Sequence, residues 1–312
     1  MKRNNLRLTE KIQRLKKQRN AVILVHNYQI PEVQDVADYI GDSLGLSRAA
    51  SSTDADVIVF CGVYFMAETA SILCPDKTVL MPDINAGCPM ADMITAEQLR
   101  EFKKEHPKAK VLAYVNTSAE VKAETDICCT SGNAVKVAET LKNSGEIIFV
   151  PDKYLANYVS SKVNVNLIPW NGYCPTHVKI LPENILKQKK AHPKAEVIVH
   201  PECRPEVIAV ADQALSTEGM CRYAKHSGAD EIIVGTEIGM LYRLQSDNPA
   251  KRFYPATELA VCPSMKLTNL EKVLWCLEDM KYEVRVPENV RLKAISAIES
   301  MIKIRQKVAG TK

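Results

Sequence analysis

The sequence predicts an α/β protein of three pseudo-threefold-related αβα layers, and three observations predict it. Short apolar runs ending in polar side chains occur three times; a hydroxyl residue follows each at a constant distance; and each unit closes on a Cys-Pro pair. Self-similarity at a fixed period marks a repeated supersecondary unit. Apolar runs of strand length alternating with helical patterns mark parallel α/β layers.

The first apolar runs, at 21–25, 110–113 and 196–199, lead into His26-Asn27-Tyr28, Tyr114-Val115-Asn116 and His200-Pro201-Glu202. Each reads as a buried strand with polar side chains at its carboxyl end. Seventeen residues after His26, Tyr114 and His200 stand Ser43, Ser131 and Thr217, each opening a helical pattern where an N-cap belongs. Second buried strands follow at 57–60, 147–150 and 232–234. Third, shorter runs at 78–81, 166–168 and 251–254 reach Pro82, Pro169 and Pro255. The units end at Cys88, Cys174 and Cys262, which lie 62, 60 and 62 residues after the first anchors, each directly before a proline. The expected layers are 1–88, 89–174 and 175–287, with the C-terminal helical segment 288–312 completing the first. Helical patterns near 6–17 and from Leu267 onward stand outside the repeat and are expected to cover the first layer's edges. Ligands of parallel sheets gather beyond the carboxyl ends of strands. Equivalent strand ends should therefore converge on one axis and form the active site there.

Composition narrows the function. The chain has 312 residues, 46% hydrophobic and 25% charged, which is the profile of an ordinary folded protein. Its 41 basic and 37 acidic residues leave a formal charge of only +4, so neither length nor charge suggests a nucleic-acid partner. The cluster Lys11, Arg14, Lys16, Lys17 and Arg19 reads as a solvated helix face. No apolar run approaches the roughly 18 to 20 residues of a membrane helix, and the charged start lacks a signal peptide's apolar middle; a cytoplasmic location is expected. Ten cysteines in so long a chain without an export signal read as reduced thiols or metal ligands rather than disulfides. Cys-x-x-Cys, His-Glu-x-x-His, Walker and Gly-x-Gly-x-x-Gly patterns are all missing from the sequence.

Three thiolates from three layers can hold three irons of a cubane cluster and leave the fourth without a protein ligand. An open iron can act as a Lewis acid on a substrate oxygen or nitrogen. The competing reading for each cysteine is a buried structural thiol, and that reading is preferred for Cys61, Cys74, Cys128, Cys129, Cys203, Cys221 and Cys276, which do not share the repeat position. Ser43, Ser131 and Thr217 either cap helices or bind an anionic substrate beside exposed amides. His26, Tyr28, Tyr114, Asn116, His200 and Glu202 supply acids, bases and hydrogen-bonding groups around the same axis. His177 and Lys266 stand close behind two of the cysteines with their roles open, and Glu68 reads first as a loop anchor.

Together, His26-Asn27-Tyr28, Gly41-Asp42-Ser43, Cys88-Pro89-Met90, Tyr114-Val115-Asn116, Cys128-Cys129-Thr130-Ser131, His200-Pro201-Glu202-Cys203, Ser216-Thr217 and Cys262-Pro263-Ser264-Met265-Lys266 resemble the signature segments of the quinolinate synthase family, in order and over nearly the whole chain. The resemblance implies three αβα domains around one central 4Fe-4S cluster per chain, held by Cys88, Cys174 and Cys262 with one iron free of protein. It implies condensation of iminoaspartate with dihydroxyacetone phosphate to quinolinate, phosphate and water in NAD biosynthesis. An aspartate oxidase or dehydrogenase would supply the unstable iminoaspartate. By position, Tyr114, Asn116, Ser131, His200 and Thr217 would bind substrate carboxylates, and His26 and Ser43 the triose and its phosphate. Glu202 would be the general base, Tyr28 its mobile partner, and His26 and His200 would share the catalytic work. Some family members carry cysteines three and six residues before the third ligand. Here those positions are Leu259 and Ala256, so thiol-disulfide control is not expected.

Overall fold

The computed structural model describes residues 2–304; the part of the expected first layer at 305–312 lies outside the described residues. Twelve strands are present among them. They are β1 (Ala21–His26), β2 (Tyr39–Gly41), β3 (Val57–Cys61) and β4 (Thr78–Leu80); β5 (Lys110–Tyr114), β6 (Ile127–Cys129), β7 (Glu146–Val150) and β8 (Asn166–Pro169); and β9 (Glu196–Val199), β10 (Gln213–Ala214), β11 (Glu231–Gly235) and β12 (Arg252–Pro255). They form three parallel four-stranded sheets in the orders β2-β1-β3-β4, β6-β5-β7-β8 and β10-β9-β11-β12. The order is the same in all three, and helices cover the sheets to give three αβα units. Parallel strands sandwiched between helices need apolar residues on both faces, and β3 (Val-Ile-Val-Phe-Cys) is buried at every position.

The three strands expected in each unit are present as its first, third and fourth, but the sequence reading missed the second of each, β2, β6 and β10. These are edge strands of two or three residues, too short to show periodicity. They matter because their carboxyl ends deliver Ser43, Ser131 and Thr217.

The helices outside the repeat pack as their apolar faces require. The helix Lys2–Gln18 and the helix Leu270–Asp279 lie together on the outer face of the first sheet, where Ile12, Leu270 and Leu277 bury against Ile23 and Val25. Lys11, Arg14, Lys17 and Arg19 face solvent. The last helix, Glu288–Lys303, contacts both the first unit, at the helix Tyr64–Leu73, and the second, at β6 and the helix Ala119–Lys122. Its Ala294, Ile298 and Met301 belong to one core shared by those two units. No helix among the described residues is long and apolar enough to cross a membrane.

Candidate active site

The three sheets point their carboxyl ends at one cavity. Every residue singled out for the site lines it: His26, Tyr28 and Ser43 with Cys88 from the first unit; Tyr114, Asn116 and Ser131 with Cys174 from the second; His200, Glu202 and Thr217 with Cys262 from the third. Cys88, Cys174 and Cys262 are partly exposed, whereas the other seven cysteines are buried.

Each of these three thiols opens a short 3-10 turn, at Ala91–Met93, His177–Lys179 and Ser264–Leu267. Proline after the cysteine lies at the start of this turn, where its missing N–H costs nothing. The turn aims backbone amides at the sulfur: Ala91 and Met90 at Cys88, His177 and Thr176 at Cys174, Met265 at Cys262. Burial outweighs these amides. It pushes the Cys88 thiol up to about 12, aided by Cys262 and Glu202, and raises Cys174 and Cys262 as well. Such thiols stay protonated unless a cation replaces the proton, since a coordinating thiol is deprotonated outright. Soft sulfur donors, one per unit and cradled by N–H groups, fit an iron–sulfur cluster.

Ser43, Ser131 and Thr217 are not caps. Asp42 caps the helix Ser43–Ser52 through Gly45 N at 2.8 Å, and Ser216 caps Thr217–His226 through Gly219 N at 3.2 Å. Asn133 precedes the helix Ala134–Thr140. In the first and third units the preceding residue does the capping, and in the second Asn133 holds the N-cap position without a side-chain capping bond, so the three hydroxyls are left to line the cavity.

Hydrogen bonds across units knit the remaining groups together. Tyr114 donates to Glu202 Oε1 at 2.5 Å; His200 Nε2 is 3.1 Å from Ser131 Oγ; Asn27 Nδ2 donates to Thr217 Oγ1 at 2.7 Å. The amides of Tyr28 and Glu202 donate to Nδ1 of His26 and His200, at 3.2 and 3.3 Å. That arrangement makes Nδ1 the acceptor in both rings and puts the proton of the neutral form on Nε2. Burial pushes both imidazoles down to about 3; the charge of His200 adds to the effect on His26, while Glu202 opposes it in both. Burial also disfavours ionised Glu202, but His177, His200 and the Tyr114 hydroxyl outweigh it and hold the carboxylate below its ordinary range.

Thr236, just beyond β11, was not anticipated, and His177 had been left open. Tyr28 Oη is 2.6 Å from Thr236 Oγ1, which is 2.9 Å from His177 Nε2; His177 Nδ1 is 2.7 Å from Glu202 Oε2. A continuous polar chain thus joins Tyr28 to Glu202. Thr236 carried no sequence signal of its own, because its equivalents after the other central strands are Gly62 and Pro151. Glu68 sits in the helix Tyr64–Leu73, and its carboxylate accepts Ala119 N at 3.1 Å, anchoring the start of the next unit's short helix. Burial pushes that carboxyl up to about 7, against the pull of Lys122.

Fold and site define a class: an α/β enzyme of three pseudo-equivalent units whose strand ends surround a cavity with one accessible thiol from each. The family model described as quinolinate synthetase A protein matches residues 10–303. Quinolinate synthase from Dehalococcoides mccartyi (strain CBDB1) is 57% identical over 297 residues, covering 95% of this chain and 98% of the relative. Those from Methanosarcina barkeri (56% over 298 residues; 96% and 98% covered) and Clostridium kluyveri (53% over 302 residues; 96% and 99% covered) are similar along the same length. The chain belongs to the quinolinate synthase family and is an enzyme of that kind.

Proposed function

We propose that this enzyme condenses iminoaspartate with dihydroxyacetone phosphate to give quinolinate, phosphate and water, in de novo NAD biosynthesis. An aspartate oxidase or dehydrogenase would supply the iminoaspartate. The carrying observation is the convergence of Cys88, Cys174 and Cys262, one from each unit, on a cavity lined by the expected polar set. These cysteines would hold one 4Fe-4S cluster per chain. Bound there, it would supply an iron without a protein ligand, a Lewis acid for the nitrogen and a carboxylate of the substrate.

The chain's own groups divide the remaining work. His26 and His200, neutral with the proton on Nε2, donate hydrogen bonds rather than exchange protons at neutral pH. That suits His200, with Ser131, Tyr114, Asn116 and Thr217, to holding carboxylates, and His26 with Ser43 to holding the triose and its phosphate. Asn116 Oδ1 is buried without a protein partner, so a ligand or water donor is needed there. Glu202, with its lowered pKa, is a weak base on its own. Its carboxylate instead fixes the Nδ1–H tautomer of His177, whose Nε2 can then take a proton passed from Tyr28 through Thr236. Glu202, His177, Thr236 and Tyr28 thus serve as one proton-handling unit during isomerisation and water loss.

The test is iron and acid-labile sulfide per chain after purification without oxygen, in the parent and in Cys88→Ala, Cys174→Ala and Cys262→Ala. About four of each in the parent, falling in every variant, supports the reading. One observation favours a second reading: Cys174, His177 and Glu202 bring ligand atoms within 4.8 Å of one another, close enough for a single ion. One zinc per chain, indifferent to Cys88→Ala, would select that reading and remove the cluster.

A further inference from the structure

Sheet register identifies a position that residue identities conceal. Val25 pairs with Cys61, Ala113 with Val150 and Val199 with Gly235, so Val63, Asp152 and Glu237 are equivalent, each two residues beyond its central strand. Two of the three are buried carboxylates. Asp152 accepts the Tyr154 and Leu155 amides at 2.8 Å, and the Cys174 amide favours its charged form. Glu237 is fully buried; its Oε1 accepts the Cys262 amide at 3.1 Å and its Oε2 the Gly239 amide at 2.7 Å.

Glu237 has a counter-ion that reaches further. Lys266 Nζ lies 2.9 Å from Glu237 Oε1 and also donates to the main-chain carbonyl of Tyr28. The packing leaves no slack: a Cβ at Gly239 would come within 2.6 Å of Tyr28 O and 2.8 Å of both Glu237 Oε2 and Lys266 Nζ. Gln34 Nε2 adds bonds to the carbonyls of Asn27, Gln29 and Gly239. One clamp therefore grips the loop bearing Cys262 and the loop bearing Tyr28.

A bond to the peptide N–H of a ligand residue fixes the main chain from which its sulfur projects, and partners of this kind tune how tightly a metal group is held. We propose that Glu237 is a positioning residue which, through Lys266, couples the Cys262 loop to the Tyr28 loop, so that cluster loading at Cys262 orders Tyr28. The proposal rests on the cluster reading above.

The experiment compares the parent with Glu237→Gln, which keeps an amide acceptor but removes the charge, and with Lys266→Met, which keeps the carboxylate but cuts the link to Tyr28. Two quantities are measured in loaded and cluster-free protein: the rate at which a chelator strips iron, and hydrogen exchange of amides 26–30, with amides of β5 and β7 as internal reference. Both variants should lose iron about 10- to 100-fold faster. Loading should protect amides 26–30 in the parent and fail to do so in the variants, with β5 and β7 unchanged. Parent-like stripping and protection in both variants, or a rise in exchange shared equally by β5 and β7, would reduce Glu237 to general support of the fold. A parent that loads no iron overturns the cluster and this role together; a parent that loads iron beside unchanged variants overturns this role alone.

Discussion

Nδ1 of His177 lies 2.7 Å from Oε2 of Glu202, while Nε2 of the same ring lies 2.9 Å from Thr236 Oγ1. A carboxylate on one side obliges the ring to carry its proton on Nδ1 and leaves Nε2 as an acceptor. The ring can then receive a proton from the Tyr28 side and, as a cation, be stabilised by Glu202.

Thr236→Val tests that chain with little change of volume. The cavity keeps its shape and its thiols, but Tyr28 loses its 2.6 Å partner and His177 its nearest donor. Turnover should fall about 100-fold, the lower end of what positioned proton transfer contributes, with iron per chain at the parent level. Parent-like turnover would mean that the proton passes by another route.

His26 and His200 set a stability limit in acid. Their folded-state pKa values are pushed down to about 3, chiefly by burial, from an ordinary 6.5. Between those values the unfolded chain binds protons that the folded chain refuses, so their contribution falls as pH drops below 6.5. From pH 7 to pH 5 each costs up to about 2 kcal/mol. Denaturant unfolding at both pH values should show the loss in the parent and a smaller loss in His200→Gln, which keeps an amide donor near Ser131. An equal loss in parent and variant would show that His200 is protonated inside the fold.

The repeat was legible because two spacings, from anchor to hydroxyl and from anchor to cysteine, recur nearly unchanged in three units, and strand ends of a parallel sheet must share one side. The cysteines stood out through Cys-Pro at 88, 174 and 262, where the same turn is needed three times. Other parts were hidden for physical reasons. Gln213–Ala214 pairs as an edge strand through its backbone, which leaves no pattern in its side chains. Asp42 and Ser216, not their successors, are the caps, a one-residue ambiguity that only backbone geometry resolves. Thr236 diverges from Gly62 and Pro151 because only there does a hydroxyl meet Tyr28 and His177. Glu237 was hidden because its equivalents, Val63 and Asp152, show no shared residue type, although Asp152 also meets the amide of its unit's cysteine.

Two glycines near the cavity cysteines separate a packing requirement from mere proximity. Gly172 precedes Cys174 by two residues, and its carbonyl accepts Lys153 N at 2.9 Å, drawing this loop against the end of β7. A methyl group there would run into the Pro151 carbonyl oxygen, a backbone atom that no rotamer change can move. Gly87 immediately precedes Cys88, yet a methyl there would meet nothing within 4 Å. Gly172→Ala should therefore destabilise by about 1 to 3 kcal/mol, the usual cost of overpacking, and should lower iron per chain by displacing Cys174. Gly87→Ala should stay within about 0.5 kcal/mol of the parent. Thermal unfolding of the cluster-free proteins measures the packing cost separately from the ligand, and iron content then reports whether the cysteine has moved. Equal stability losses in the two variants would show that neither loop is confined by the contact at Pro151.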